Sequence, residues 1–273
     1  MTVDVAAVAA DLKDEQDALD SIVADIGDAD WFAPTASAGW AVRDQIGHLT
    51  FFDGTAALAI TDPGAFNASL EGLLNSTGGL DDATLNRDLD PAALLQQWRA
   101  NRRLLNAAGR QLQESDRVPW YGPSMGAKSF LTARLMETWA HGQDVVDALG
   151  AERPATDRLA HIVRLGFITR GWTYANRGET PPSAGVSVEL IAPSGSVWRH
   201  GDDADGHGEN VVRGSALEFC LVTTQRRHVD DTDLDVTGDA ARDWMLKAQA
   251  FAGPATDGPA AQPRTTESQE DQP

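Results

Sequence analysis

Hydrophobic residues recur at helical spacing along the first two-thirds of the chain, with acidic and other polar residues between them. Over residues 3–27 the apolar positions follow steps that place them on one face of a helix: Val5, Val8, Leu12, Leu19, Ile22, Val23 and Ile26. The same pattern predicts helices over about 40–60, 90–114, 129–149 and 156–175, and a short one over 65–76. Long helices joined in series are typical of a bundle, so we expect an α-helical four-helix bundle here.

Two of these helices carry clear end signals. Asp90 precedes Pro91, which is the arrangement of an N-cap residue followed by proline at the first helical position. Gly150 follows the last residue of the helix predicted over 129–149, where glycine commonly ends a helix. The connections over 28–38 and 115–128 are rich in small residues, proline and glycine, as expected of loops.

The pattern changes after a proline- and glycine-rich linker at 177–185. Alternating residues predict strands at 186–192, 196–200, 209–214 and 234–238, with helices at 215–226 and 239–251. This order predicts a small α+β domain. The resulting division is a helical domain over 1–178, an α+β domain over 185–252 and a disordered tail over 253–273, where periodicity is lost.

Net charge limits the possible binding partners, and cysteine content limits the possible cross-links and metal sites. The 273 residues carry 41 acidic against 22 basic side chains, a formal net charge of −19, which disfavours nucleic acid and anionic membranes as partners. The single cysteine, Cys220, excludes an intrachain disulfide and a zinc site built from cysteines. No signal peptide and no stretch of membrane-spanning length is recognised, and we expect a cytoplasmic protein.

Candidate chemistry begins in the segment R-L-M-E-T-W-A-H-G-Q-D, residues 134–144. Its Glu137 and His141 are four residues apart, so a carboxylate and an imidazole project from the same helix face. His48 lies on the second predicted helix beside Ile46 and Leu49, which favours an inward orientation, and facing helices of a bundle commonly share a metal. The three residues form a two-histidine, one-carboxylate set, although a surface pair and a hydrogen-bonded core histidine would give the same spacing.

Other metal and catalytic motifs are weak or missing. The order of Glu137 and His141 is not that of the H-E-x-x-H metalloprotease motif. A calcium loop is loosely suggested by Asp202, Asp203, Asp205, Gly206 and Glu209, but the spacing of an EF-hand is not met. The chain contains no P-loop and no G-x-G-x-x-G.

The segment Trp40–Leu49, taken with R-L-M-E-T-W-A-H-G-Q-D, resembles the N-terminal domain of the mycothiol-dependent maleylpyruvate isomerases, of the DinB-like superfamily. The resemblance implies a metal-binding four-helix bundle whose ligands are His48, Glu137 and His141. The stretch over 212–245, V-R-G-S-A-L-E-F-C through A-A-R-D-W-M, resembles the second domain of that family, a sterol-carrier-like α+β fold. Together the two resemblances cover about residues 5–252.

The family implies a small-molecule thiol as co-substrate. Two imidazoles and a carboxylate with an open position suit catalytic zinc but also non-haem iron, and ligand type alone does not separate zinc from nickel or iron. The resemblance favours zinc, and it names mycothiol, an actinobacterial thiol, as the nucleophile, since a metal deprotonates a coordinating thiol. The expected activity is isomerisation or S-transfer by attack of the activated thiolate on a small electrophile.

Further residues are assigned provisional roles. We expect Arg134 and Arg226 to bind substrate and Arg227 to take part in catalysis, against the alternative of surface or helix-end charges. Asp53 and Asp144 are candidates for orienting a ligand imidazole. Two other functions stay open: a non-catalytic metal-binding or carrier protein, and a metal-dependent hydrolase that uses activated water. A monomer and a homodimer are both compatible with the sequence.

Overall fold

The structure, a computed structural model, describes residues 4–74, 83–201 and 208–262. It divides into two compact units, Met1–Leu165 and Gly166–Pro273. The boundary falls inside a helix, Leu159–Ile168, while the linker predicted at 177–185 and the domain limits set around it stay predictions. Each unit is described by itself below.

The first unit is a helical bundle. Its helices are α1 (Val5–Val23), α2 (Val42–Thr61), α3 (Pro63–Leu74), α4 (Pro91–Gly109) and α5 (Ala127–Leu149). The four long ones form the bundle: α2 packs on α4 and α5, and α1 packs on the same two helices. The predicted helical bundle is therefore confirmed. Among the described helices, none has both the length and the apolar character that crossing a membrane requires.

The helix ends form as local sequence dictates. Asp90 accepts a hydrogen bond from the backbone N–H of Ala93 at 2.8 Å, and Pro91 is the first helical residue, which confirms the predicted N-cap of α4. Asp4 caps α1 in the same way through Ala7. Gly150 ends α5 with φ of 59°, a left-handed conformation that glycine adopts without strain.

Apolar residues of these helices meet in one core. It is built around the fully buried indole of Trp98, and its members are Leu19, Val23, Trp31, Val42, Ile46, Leu49, Leu94, Leu95, Trp98 and Val145. Gly47 lies beside this core, where a Cβ atom would come within 1.9 Å of the carbonyl oxygen of Leu85. Only glycine allows the chain around Leu85 to approach α2 so closely, directly next to His48.

Three predicted elements differ from the observed ones. The helix predicted to about 114 ends at Gly109, and the backbone N–H groups of Gln111 and Leu112 then donate to carbonyls three residues back. Further along, Asp116 accepts from the N–H of Gln113 at 2.8 Å. The following loop contains a short hairpin, β1 (Arg117–Val118) and β2 (Met125–Gly126). The helix predicted over 156–175 is two helices, α6 (Leu159–Ile168) and α7 (Arg170–Asn176), which are separated by Thr169 in a non-helical conformation.

The second unit contains a four-stranded sheet. Its strands are β3 (Ser187–Ile191), β4 (Val197–His200), β5 (Val211–Ser215) and β6 (Asp235–Thr237), in the order β4-β3-β5-β6. β3 pairs parallel with β5, while the other two pairs are antiparallel. Helices α8 (Ala216–Thr223) and α9 (Asp239–Lys247) follow β5 and β6. The predicted α+β fold of this part is confirmed.

The first ten residues of the predicted tail, 253–262, make hydrogen bonds to the rest of the second unit. Arg177 donates to Asp257 at 2.7 Å, Gln225 donates to the carbonyl of Thr256 at 2.8 Å, and Gln249 donates to that of Pro254 at 3.1 Å. The tail predicted to be disordered from 253 thus makes specific hydrogen bonds over 253–262. Residues 263–273 lie outside the described residues.

Candidate metal centre

The structure brings the three predicted ligands together. His48 projects from α2, and Glu137 and His141 project from adjacent turns of α5. One donor atom from each residue lies within 4.8 Å of the other two. The Nε2 atom of His141 is 3.2 Å from Oε2 of Glu137, as the i, i+4 spacing requires. The packing of α2 on α5 therefore supplies the geometry that the sequence could only propose.

A buried glutamine orients one of the imidazoles. The Oε1 atom of Gln45 lies 2.6 Å from Nδ1 of His141, while its Nε2 donates to the hydroxyls of Thr35 at 2.9 Å and Ser37 at 3.1 Å. Thr35 in turn donates to the carbonyl of Trp40 at 3.1 Å, which leaves its oxygen lone pairs for Gln45. This direction of donation makes Nδ1 of His141 the donor to Gln45.

The orientation of His141 fits a bound cation. With its Nδ1 donating to Gln45, His141 turns Nε2 towards Oε2 of Glu137 at 3.2 Å. Two such atoms at that separation are bridged by a cation, either the Nε2 proton of His141 that hydrogen-bonds to Glu137 or a metal ion in its place. Two ligands of a tetrahedral zinc at about 2.1 Å lie roughly 3.4 Å apart, so the observed spacing of 3.2 Å suits such an ion.

Glu137 is held ionised by its surroundings. Burial would raise its pKa, but the hydrogen bond from His141 and the charges of His141, His48 and Arg134 outweigh burial and lower the pKa to about 2. Its side chain keeps 24% of its surface exposed. The group is thus a carboxylate at neutral pH, which is the form that binds metal.

Arg134 and Asp53 form a buried ion pair beside this site. Nη2 of Arg134 donates to Oδ1 of Asp53 at 2.9 Å, and both side chains are almost fully buried. The other carboxylate oxygen accepts from Trp98 at 3.2 Å and Gln16 at 3.0 Å. Asp53, predicted to orient an imidazole, therefore accepts hydrogen bonds from three other side chains, and burial raises its pKa despite these donors. The substrate-binding role of Arg134 stays a prediction.

The remaining predicted residues are Arg226, Arg227 and Asp144. Arg226 and Arg227 follow α8 in the second unit, where their backbone N–H groups donate to the carbonyl of Leu221 at 2.7 and 3.2 Å. Their predicted substrate-binding and catalytic roles stay predictions. Asp144 is near His141, with Oδ2 3.9 Å from Nδ1, too far for a direct hydrogen bond. Most of the weakly suggested calcium loop, including Asp202, falls outside the described residues.

The only cysteine of the sequence is unsuited to catalysis. Cys220 is fully buried in α8, and burial raises the pKa of its thiol well above the ordinary value. A buried thiol that resists deprotonation is a poor nucleophile. Any thiol chemistry at the candidate metal centre would therefore use a sulfur atom that the chain does not supply.

Sequence analysis overlooked Gln45, although one signal pointed to it. Gln45 precedes His48 by three residues on α2, so the two side chains share a helix face. Its role nevertheless depends on Thr35 and Ser37, which reach it from the loop before α2. Helix spacing alone does not predict how that loop folds.

Comparisons with known proteins agree with this architecture. The family model described as the mycothiol maleylpyruvate isomerase N-terminal domain matches residues 12–146. Two uncharacterised proteins of Mycobacterium tuberculosis, from strains CDC 1551 and H37Rv, are each 42% identical over 247 residues, covering 90% of this chain and 95% of theirs.

Solved structures show the same fold. The crystal structures of a mycothiol-dependent maleylpyruvate isomerase and of a histidine-to-alanine mutant of that enzyme superpose with a TM-score of 0.54. Their sequence identities to this chain are 19% and 18%, and each match covers 82% of this chain and 90% of theirs. At this identity the likeness concerns the fold.

Proposed function

The chain belongs to the mycothiol maleylpyruvate isomerase family, and from that premise we propose that it is a metal- and mycothiol-dependent enzyme. It would act on a small electrophile, as an isomerase or as an S-transferase. The observation that carries this proposal is the convergence of His48, Glu137 and His141, whose donor atoms lie within 4.8 Å of one another. Zinc suits two imidazoles and a carboxylate.

The chain's own residues prepare the site for such an ion. His48, Glu137 and His141 would hold it, and Gln45 keeps the ring of His141 turned so that Nε2 faces Glu137. A bound divalent metal would lower the pKa of a coordinating thiol enough to give a thiolate at neutral pH. Trp40 and Phe52, whose rings lie 5.4 and 4.5 Å from that of His48, give this side of the site an apolar lining.

An external thiol is favoured by the state of the chain's own cysteine. Cys220 is fully buried and its thiol pKa is raised, so it is no substitute for a small-molecule nucleophile. The family is named for mycothiol, which makes mycothiol the first candidate. A metal-dependent hydrolase and a non-catalytic metal carrier would use the same three ligands, and they differ from this proposal in needing no thiol.

Metal analysis and a thermal-shift panel separate these functions. Metal content should be stoichiometric in the wild type and in a His228→Ala control, and should be lost in His48→Ala/His141→Ala. Mycothiol should raise the melting temperature of the metal-loaded protein, because a ligand held by the native state stabilises it, by about 2.7 kcal/mol at 100 times Kd. Undiminished metal in the double variant would refute the site. No response to mycothiol would point to the hydrolase or the carrier.

A further inference from the structure

Aromatic rings line the candidate metal centre next to its imidazoles. The Trp40 ring lies 5.4 Å from that of His48 and stacks at 6.0 Å on that of His141, with 14° between the planes. Phe52 lies 4.5 Å from His48. Both Trp40 and Phe52 are partly exposed, so their rings are available to a molecule placed beside the imidazoles.

The aromatic surface continues away from the imidazoles. Tyr121 meets Phe52 edge to face at 5.4 Å, and Trp120 lies 6.2 Å from Phe52. Both belong to the loop between β1 and β2, and both are partly exposed. The ring of Trp120 is held by the core, since it stacks on buried Phe66 at 5.7 Å and contacts buried Phe130 edge to face at 5.1 Å. We call Trp40, Phe52, Trp120 and Tyr121 the aromatic wall.

The cation next to this wall is already neutralised. The guanidinium of Arg134 lies 5.9 Å from the ring centre of Phe52, but it is ion-paired with Asp53 at 2.9 Å. Its side chain is only 4% exposed. A buried charge that has its own counter-ion contributes little to the capture of a second carboxylate from solvent. The aromatic wall thus favours a flat apolar group over an anion.

We propose that the electrophile acted on at this site carries a flat, uncharged, aromatic or conjugated body, which stacks on Phe52 and Tyr121. This inference rests on the proposed function and names the substrate class of the same site. Offset and edge-to-face contacts between rings are favoured at centroid separations of 4.5–7 Å. One such contact strengthens binding by up to about tenfold. A small dicarboxylate has no ring to place there.

Two stable thioethers of mycothiol test the proposal directly. One is the S-benzyl conjugate and the other is the S-(1,2-dicarboxyethyl) conjugate, and each is titrated into the metal-loaded protein in a calorimeter. We expect the benzyl conjugate to bind about tenfold more tightly. Phe52→Leu should remove most of this preference by deleting the ring face, while Phe52→Tyr should keep it. Circular dichroism and metal content confirm that both variants are folded and loaded.

The outcomes distinguish this inference from the function on which it rests. Equal or tighter binding of the dicarboxylate conjugate, or a benzyl preference unchanged in Phe52→Leu, would overturn the aromatic substrate class while mycothiol itself still binds. If mycothiol and both conjugates fail to bind the loaded protein, the proposed function fails and this inference fails with it.

Discussion

Gln45 provides a sensitive test of how the candidate metal centre is organised. Its amide is fully buried, accepts from Nδ1 of His141 at 2.6 Å and donates to Thr35 and Ser37. Gln45→Leu keeps much of the volume but removes the acceptor. The Nδ1–H of His141 then loses its partner in a buried setting, which costs about 1–3 kcal/mol.

Loss of the hydrogen bond between Gln45 and His141 should appear mainly as weaker metal binding. Removing a group that orients a ligand imidazole typically lowers metal affinity by about 10–100-fold, which corresponds to about 1.4–2.7 kcal/mol. Competition with a chromophoric chelator at fixed pH measures this quantity for zinc. Gln45→Glu retains an acceptor at the same place and should bind zinc more tightly than Gln45→Leu.

A surface glutamine supplies the matched control. Gln97 is exposed on α4, and Gln97→Leu makes the same chemical change without touching an imidazole. We expect its zinc affinity to equal that of the wild type. If Gln45→Leu is folded by circular dichroism and also binds zinc like the wild type, then Gln45 does not orient His141 for a metal, and our description of the site is wrong.

Three further outcomes follow from buried and partly buried groups. Cys220→Ala should leave mycothiol-dependent turnover intact, because its buried thiol has a raised pKa, and a loss of turnover in folded protein would show that this sulfur takes part. Asp53→Leu leaves the guanidinium of Arg134 buried without its counter-charge and should lower the free energy of unfolding by about 3–5 kcal/mol, measured by urea denaturation. Asp53→Leu/Arg134→Met should recover part of this loss, and additive effects of the two changes would argue against the pair. The pKa of Glu137 is lowered from 4.5 to about 2 in the folded state. Its ionisation therefore stabilises the folded, metal-free protein above pH 4.5, and this stabilisation is lost as the pH falls towards about 2. The difference in unfolding free energy between wild type and Glu137→Gln should shrink over that window, and a difference that is constant from pH 5 to 2.5 would contradict the lowered pKa.

Local rules were enough to predict the four long helices of the bundle, although not every helix end. The N-cap at Asp90 and the glycine stop at Gly150 depend on adjacent residues, and both formed as predicted. The i, i+4 spacing of Glu137 and His141 is likewise a property of one helix. Placing His48 opposite them required only that α2 and α5 face each other in a bundle. Their role as metal ligands stays a prediction.

Features that depend on distant chain segments were not predictable in this way. The spacing of Arg134 and Glu137 on α5 made Arg134 a candidate for binding substrate. The structure instead buries Arg134 against a counter-ion 81 residues away, Asp53, which spacing on one helix does not predict. The aromatic wall combines Trp40 and Phe52 with the loop that carries Trp120. Hydrophobic periodicity does not predict that this loop contacts Phe52. The same holds for residues 253–262, whose hydrogen bonds come from other parts of the second unit.

The central claim is that this chain binds mycothiol through a metal held by His48, Glu137 and His141. Calorimetric titration of mycothiol into zinc-loaded protein, metal-free protein and the His48→Ala/His141→Ala variant tests it most directly. We predict saturable binding to the zinc-loaded wild type, with no measurable binding to the other two. Equal mycothiol affinity in all three samples would show that mycothiol binding does not depend on the metal, and would contradict this claim.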